Sequence, residues 1–507
     1  MENGEREIYR FVCGLLSEGE NPQSALFFAD KLLSLNDTLE HRKLYARALF
    51  ACGEFRQCLE FLCEQNMLGM HDCLLLAVKS CAAVGETQRC IDIFDMNLPF
   101  VDITEIAQVQ SPDVTESTLW LLRAKLNTSI ERKTEAFRCC EISLFYNPLC
   151  IEAIDMIASE HIVNDRELYD RVKHLFAKIT WPWARSFIEA RILARTRPFE
   201  VKRSLDYLRS IPQLTGNSDT LLLKAQDLFN HGDYEKCFEV CKELEGKGHL
   251  TDPQTVVLYA SSLLMTERMH ELSFFAQRLS ELEPDKAGTW YAVGCFWFGK
   301  KDYEAARTCF AKATFVDKKF AAAWMAFGHT FARRQEHDQA IASYRTALTL
   351  FPGSSVPPLC IAIETARANR MNEAVKFFAL AHNVFPESPI LQNEMGCLHY
   401  KQKDYRRARE AFEAAIRNLQ PGTGLLAETF YVNLGHCLRQ LRMHGEARQA
   451  FHKSMIVGRE LPGTLAAIGW THHIEGNVSE AARWYNKSLA LSEDGIVMEL
   501  FTQSLKH

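Results

Sequence analysis

Six alanines recur at an almost constant interval in the C-terminal part of this 507-residue chain. Successive members are 34, 34, 34, 39 and 34 residues apart, and they are Ala306, Ala340, Ala374, Ala408, Ala447 and Ala481. Four residues after each alanine stands an aromatic residue: Phe310, Tyr344, Phe378, Phe412, Phe451 and Tyr485. Twelve residues before each stands a small residue: Gly294, Gly328, Ala362, Gly396, Gly435 and Gly469. This pattern indicates a repeated structural unit rather than a single globular core.

The repeat at residues 287–320 shows what one unit contains. Trp290, Gly294 and Trp297 are spaced as on one face of an amphipathic helix, which we call helix A. Asp302 precedes a second helix, helix B, and is a candidate N-cap because its carboxylate can accept backbone amides of the first turn. A period of 34 residues with this pattern is the signature of the tetratricopeptide repeat. The sequence therefore predicts an all-α fold, a superhelical solenoid of tetratricopeptide repeats.

The repeat signal weakens upstream but keeps its phase, for example at 117–150 and 253–286. The stretch 151–217 has no clear phase, and Trp181-Pro182-Trp183 within it predicts a break between helices. The one step of 39 residues predicts a longer loop or a helix extension around 420–424. We therefore expect three segments: an N-terminal repeat block at 1–216, a C-terminal repeat superhelix at 217–492, and a tail at 493–507.

Charge, cysteine content and the lack of evident targeting segments indicate which partners and which compartment to expect. The formal net charge is −6 and the basic residues are scattered, which argues against nucleic acid as the main partner. None of the 17 cysteines forms a C-x-x-C pair, and Cys58, Cys90 and Cys237 fall on repeat positions that favour a small apolar residue. We expect buried, reduced thiols. Neither a secretory signal nor a membrane span is evident, so we expect the protein in nucleus and cytoplasm and not at a membrane.

Catalytic and metal-binding patterns are not evident in the sequence. His329, Glu336 and His337 lie close together, but they straddle a helix A and its turn, which favours solvated or groove-lining side chains. Adjacent residues such as His472 and His473 point apart on a helix, which argues against a shared metal ion. We therefore predict a protein that is not an enzyme and needs neither cofactor nor metal. The tryptophans at helix-A positions are expected in the core.

Helix A lines the concave surface in an array of this kind, so its inward positions are the candidates for binding. The apolar ones are Tyr291, Cys295, Phe298, Met325, Leu359 and Ile363, and polar ones lie further along the chain. Such a surface suits an extended or helical peptide, because asparagine side chains can pair with backbone amides. The alternative is that the polar groups only satisfy neighbouring helices. The lysine-rich clamp that some co-chaperones use for an EEVD carboxylate is absent.

Several stretches resemble one family, the cell division cycle protein sixteen family. They are WYAVGC at 290–295, AWMAFGHTFA at 323–332, EHDQA at 336–340, LFPG at 350–353, NLGHCLR at 433–439 and AIGWTHH at 467–473. General repeat rules do not dictate strings such as GHTFA and EHDQA. The resemblance is strong over about 287–492 and weak before residue 217.

This resemblance implies a function that the periodicity alone does not give. The family supplies a non-catalytic scaffold subunit of the anaphase-promoting complex, or cyclosome, a multisubunit ubiquitin ligase that controls mitotic progression. Members form homodimers through N-terminal repeats, contact other repeat subunits, and enclose a very small subunit in the C-terminal groove. By repeat position, the candidates for holding that subunit are His329, Asn393, Glu394, His399, Tyr400, Asn433, His436, Arg439 and His473. The alternative is a peptide-binding adaptor or co-chaperone outside this complex.

Overall fold

The computed structural model describes residues 2–19, 21–100, 114–160, 165–197, 200–249, 251–351, 354, 356–384, 386–419 and 424–505. Within these ranges 30 α-helices and no strands are present. The chain divides into two compact units, Met1–Ile162 with His174–Ile179, and Val163–Lys173 with Thr180–His507. The predicted all-α repeat fold is confirmed.

The first unit contains nine helices in the described residues. They are α1 Glu2–Glu18, α2 Pro22–Leu35, α3 Leu39–Ala51, α4 Phe55–Glu64, α5 His71–Val84, α6 Thr87–Asn97, α7 Val114–Ser129, α8 Lys133–Tyr146 and α9 Ile151–Glu160. Helix α10, Asp165–Phe176, contributes residues to both units.

The second unit contains the remaining described helices. Before the periodic alanines these are α11 Pro182–Thr196, α12 Lys202–Arg209, α13 Pro212–Thr215, α14 Ser218–Asn230, α15 Tyr234–Gly246, α16 Pro253–Met265 and α17 Met269–Leu282. The C-terminal repeats follow as α18 Ala287–Gly299, α19 Tyr303–Val316, α20 Ala321–Arg333, α21 His337–Leu350, α22 Val356–Arg367, α23 Met371–Val384, α24 Pro389–Lys401, α25 Tyr405–Arg417, α26 Gly424–Gln440, α27 His444–Val457, α28 Pro462–Ile474, α29 Val478–Leu491 and α30 Gly495–Ser504.

The turn between helix A and helix B has the same backbone conformation in each repeat. Five residues before each periodic alanine the backbone φ is positive, at Lys301, Gln335, Asn369, Lys403, Arg442 and Gly476. The same offset holds upstream, where Gly53, Gly85, Glu131, Gly232 and Glu267 precede Cys58, Cys90, Ala136, Cys237 and Leu272. All the residues at this alanine position are buried. The repeat phase therefore extends through both units.

The small residue of helix A meets the aromatic ring of helix B. A Cβ placed on Gly294, Gly396 or Gly435 would come within 2.5 to 2.6 Å of the ring four residues after the next periodic alanine. Real Cβ atoms do not approach ring carbons so closely, so the ring occupies the space that a methyl group would need. The sequence predicts close packing at these glycines, and the structure shows that the partner is the ring itself.

The predicted cap Asp302 begins helix B of its repeat, and Asp404 takes the same role in a later repeat. Asp302 accepts a hydrogen bond from the Ala305 amide at 3.1 Å, and Asp404 accepts one from the Arg407 amide at 3.2 Å. Helix α26 has 17 residues where α24 has 13, so part of the long repeat step is a helix extension. Residues 420–423 of the predicted loop lie outside the described residues.

Helices α9 to α13 occupy the stretch that could not be phased from the sequence. As predicted, a break lies at the Trp-Pro-Trp string: Trp181 precedes the first residue of α11, which is Pro182. The expected division of roles between residues 1–216 and 217–492 stays a prediction, as does the tail at 493–507, in which α30 forms a further helix.

The prediction that Trp290 and Trp324 lie in the core is wrong in part, because both are only half-buried. Each indole Nε1 donates to a backbone carbonyl six residues earlier, Pro284 and Lys318 respectively, at 2.9 Å. An indole can bury its ring only where its N–H finds an acceptor, and here the loop before helix A supplies one.

Candidate partner groove

The A helices α18, α20, α22, α24, α26 and α28 of the second unit form one surface, which we call the partner groove. Residue contacts link α18 with α20, α22 with α24, α24 with α26 and α26 with α28, and residues of α20 and α22 line one cavity. The hydroxyls of Ser261, in α16, and Tyr291, in α18, lie 3.0 Å apart. Gln440 Nε2, in α26, donates to Tyr400 Oη, in α24, at 3.3 Å. Side chains one repeat apart therefore meet on this surface.

A cavity of about 610 Å³ opens where the groove is most apolar. Its walls include helix-A residues expected at the concave surface: Tyr291, Cys295, Phe298, Met325, His329 and Ile363. Ser261, Arg333, Glu364 and Arg367 add polar groups to the lining. A mainly apolar cavity with a few polar groups is the usual form of a ligand pocket.

A buried carboxylate forms the polar end of this cavity. Glu364 is 2% exposed, accepts a hydrogen bond from Arg367 Nη1 at 2.6 Å, and lies 2.7 Å from His337 Nδ1. These partners satisfy a carboxylate that would otherwise be costly to bury. Sequence reasoning missed Glu364 and Arg367. Their only sequence signal is a Glu–Arg pair three residues apart on helix A, which is common on solvated helices.

Of the nine candidates for holding a small subunit, His329 is the one that lines the cavity. Its Nδ1 lies 2.6 Å from the Tyr344 hydroxyl, and the two rings meet edge to face. The ring opens into the groove, but the surrounding walls reduce its solvation and lower the pKa of His329 to about 4. The imidazole is therefore neutral at pH 7, and its Nδ1 can accept a hydrogen bond from the Tyr344 hydroxyl.

Three predicted residues form a directional hydrogen-bond chain. Asn433 Nδ2 donates to Asn393 Oδ1 at 2.9 Å, and Asn393 Nδ2 donates to Glu394 Oε1 at 3.1 Å. Burial raises the pKa of the Glu394 carboxyl, against the opposing effects of Asn393 and Arg367. Asn433 Nδ2 also lies 3.8 Å from Cys397 Sγ, and no described donor contacts the Asn433 carbonyl oxygen, which remains available as an acceptor toward a ligand.

His399 and Tyr400 lie side by side on α24 but have different surroundings. Tyr400 packs edge-on against Tyr405, with ring centroids 5.3 Å apart, and accepts the Gln440 hydrogen bond described above. His399 Nδ1 is buried and has no hydrogen-bond partner among the described residues. Only Tyr400 contributes a group with a described contact to the next A helix.

Arg439 and His436 stand one helical turn apart on α26. The Arg439 guanidinium stacks over the Trp470 ring, 4.2 Å from its centroid, and burial lowers the pKa of Arg439. The His436 ring contacts Phe451 edge-on, and burial, with a smaller effect of Arg439, lowers the pKa of His436 to about 4. Arg439 is thus the cation of this part of the groove.

His473 marks the far end of the predicted set. Its Nδ1 lies 3.4 Å from the Tyr485 hydroxyl, at the long limit of a hydrogen bond. Eight of the nine candidates therefore gather in four places: His329 on the cavity, the Asn433–Asn393–Glu394 chain, Tyr400 with Arg439 and His436, and His473 beside Tyr485. The ninth, His399, belongs to none of them. Whether they hold a partner stays a prediction.

Neither a metal-binding cluster nor a membrane-spanning helix is found among the described residues. Among the described residues, no group of three or more histidine, cysteine, aspartate or glutamate side chains could hold a metal ion. The helices within the described ranges include none that is long and apolar enough to cross a membrane.

Two family models match parts of the chain. Residues 19–97 match a model described as "Anaphase-promoting complex, cyclosome, subunit 3". Residues 298–355 and 393–454 match a tetratricopeptide repeat model. The second match covers parts of four A helices of the partner groove, α18, α20, α24 and α26.

Curated relatives align over almost the whole chain. Anaphase-promoting complex subunit 6 of Arabidopsis thaliana is 28% identical over 499 residues, 93% of this chain and 91% of the relative. The cell division cycle protein 16 homolog of Homo sapiens is 27% identical over 505 residues, 93% of this chain and 79% of the relative. A crystal structure of the APC/C hetero-tetramer Cut9-Hcn1 superposes with a TM-score of 0.78 at 23% identity, covering 99% of this chain and 96% of that one. This last similarity supports the fold.

Proposed function

Because the chain belongs to the cell division cycle protein sixteen family, we propose that it is a scaffold subunit of an anaphase-promoting complex. The observation that carries the proposal is the length of the alignment. Relatives named for this complex align over 93% of the chain, through both compact units, and not only over the repeats that many unrelated solenoids share. In this role the protein binds other subunits and leaves ubiquitin transfer to them.

We propose that the N-terminal repeats form a homodimer. In α1 and α2, Phe11 and Phe27 are 52% and 58% exposed, and both contact Phe28 edge-on with ring centroids 5.6 and 5.4 Å apart. An exposed cluster of aromatic rings is the composition expected at the centre of a protein interface. The two-fold symmetry of a dimer would bring the same cluster from each copy to one contact.

The partner groove is the proposed site for a very small subunit. Its apolar cavity can take a side chain or chain end, and the Asn433 oxygen can accept a backbone N–H of an extended peptide. A ligand along the groove would contact several A helices at once. It would therefore stabilise the second unit by binding only the folded superhelix.

The proposal includes the absence of catalysis in this chain and a location in nucleus and cytoplasm. Both follow from the role of a subunit that assembles a ligase acting in mitosis. In this proposal the described groove is a binding surface: it contains a buried carboxylate, neutral imidazoles and amides, several of which contact one another.

Affinity purification of the tagged full chain from its own cells tests this function, with mass spectrometry adapted to retain very small proteins. We expect cullin and RING subunits, other repeat subunits and one peptide-sized partner. Recovery of chaperones or transport proteins alone would instead support the adaptor alternative. A strain carrying the same tag on an unrelated repeat protein provides the control.

A further inference from the structure

Arg439 is partly buried, yet it has no acidic partner in the described part of the chain. Arg367 pairs with Glu364 at 2.6 Å, Arg409 with Glu413 at 2.7 Å, and Arg448 with Glu475. No described carboxylate lies within ion-pair distance of Arg439, and its Nη1 is buried without a hydrogen-bond acceptor. A shielded cation without a counter-charge is costly, so such groups usually pair or bind a ligand.

The surroundings of Arg439 use only part of its hydrogen-bonding edge: the Tyr400 hydroxyl is a hydrogen-bond partner, while Nη1 has none among the described residues. The groups that favour its charged form are the hydroxyls of Tyr400 and Tyr485, not a carboxylate. Trp470 covers one face of the guanidinium, and stacking uses the π face while the N–H groups point outward in the plane. His436, one turn away, is neutral at pH 7 and supplies no negative charge. The site therefore has a fixed cation with unsatisfied donors.

A carboxylate fits this geometry better than a neutral acceptor. Two in-plane N–H groups of a guanidinium match the two oxygens of a carboxylate, and charge-assisted hydrogen bonds are about twice as strong as neutral ones. Trp470 is 47% exposed and provides a flat apolar surface beside the cation, on which the stem of a ligand side chain can lie.

We propose that Arg439 and Trp470 form a subsite that selects an aspartate or glutamate side chain of a peptide lying in the partner groove. This inference rests on the proposed function, since it concerns the ligand of the same groove. It adds a specificity-determining residue and the charge of the ligand at one position. It also explains why this arginine lacks the internal partner that Arg367, Arg409 and Arg448 have.

The test selects peptides with the purified full chain from a positional-scanning library of acetylated, C-terminally amidated dodecapeptides. We expect an acidic residue to be preferred over its amide by about tenfold or more at one position, as for charged pairs at interfaces. R439Q should remove that preference, and R439E should replace it with a preference for lysine or arginine. The control is R448Q, which removes a cation that already has an internal partner.

Three results would overturn the inference. The first is an acid preference that R439Q leaves unchanged, and the second is no selection by the wild-type chain. The third is selection that appears only with a library bearing free C-termini, which would assign the carboxylate to a chain end. A structural role is tested separately: R439Q should leave the thermal midpoint of the ligand-free chain unchanged or higher, because it removes an uncompensated charge. Failure of this subsite leaves recovery of the complex from cells unaffected, so the two proposals fail independently.

Discussion

A Cβ atom added to Gly328 would overlap the Tyr344 ring at Cε1. The glycine is in helix A and the tyrosine in helix B of the same repeat, so the ring packs directly on the helix-A backbone. The hydroxyl of this ring then reaches His329, the next residue of helix A, at 2.6 Å. One glycine thus sets both the packing of the two helices and the position of a groove imidazole.

Gly328→Leu should lower the free energy of unfolding by several kcal/mol, at or above the roughly 1–3 kcal/mol typical of overpacking. Even Gly328→Ala should destabilise, because the added methyl has no space beside the ring. Gly445→Ala is the matched control: it lies at the start of α27 with no atom within 4 Å of its Cβ position. That change should stabilise by up to about 1 kcal/mol through helix propensity.

Chemical unfolding followed by circular dichroism compares the three variants. Equal stability of Gly328→Leu and the wild-type chain would contradict the tight contact. If Gly445→Ala also lost stability, the loss in Gly328→Ala could not be assigned to the missing space beside the ring.

Periodic positions could be predicted because each repeat packs on its neighbours in the same way. The buried alanine, the aromatic ring and the cap Asp302 follow from local spacing, and the structure places them as expected. The burial of Trp290 was harder to predict, because a large apolar residue at a helix-A position can cover a loop as well as fill a core.

For contacts between repeats, the sequence predicted which positions face the groove but not which side chains pair with each other. Asn433 and Asn393 are 40 residues apart, and their hydrogen bond depends on the rise and rotation from one repeat to the next. The sequence also gives no sign that Glu364 is buried and paired while Arg439 has no acidic partner. Burial and charge compensation depend on the superhelix, so they required coordinates.

Phe27→Asp should convert the proposed homodimer into a monomer. The ring is exposed in this chain and contacts Phe28, and a carboxylate there would be buried without a partner in a dimer interface. Light scattering after size-exclusion chromatography measures the mass. Phe274→Asp is the control, because Phe274 is 66% exposed but lies on α17 of the second unit. A dimer that survives Phe27→Asp, or dissociates equally in both variants, would contradict the assignment to this aromatic cluster.

Glu364→Gln should destabilise the helices around the cavity by about 2–4 kcal/mol, because the buried carboxylate serves Arg367 and His337 together. Glu373→Gln is the matched control: its pair with Arg345, at 2.7 Å, is partly exposed to solvent, with side chains 33% and 55% exposed, and should contribute within about 1 kcal/mol. Native-state hydrogen exchange of α20 to α22 gives the local stability. Similar losses in the two variants would show that burial does not distinguish these carboxylates.

The pKa of His436 provides a test of the groove in the absence of any ligand. Burial is the larger cause of its low pKa of about 4, and Arg439 is the smaller. R439Q should therefore raise the pKa of His436 while leaving it below the ordinary value of about 6.5. NMR of the chain labelled at histidine Cε1, with His436→Gln to assign the resonance, measures the titration.

The same pKa fixes the sign of a stability change with pH. Between about pH 6.5 and 4, the unfolded chain binds a proton at this histidine that the folded chain does not. Stability should therefore fall as the pH falls through this range, by up to about 1.4 kcal/mol per pH unit for this one group. Unfolding of the wild-type chain and His436→Gln at pH 7 and pH 5 should show a smaller loss in the variant. A wild-type His436 that titrates near 6.5, or equal losses in both chains, would mean that this part of the groove is open to water and that Arg439 is not shielded as the structure describes.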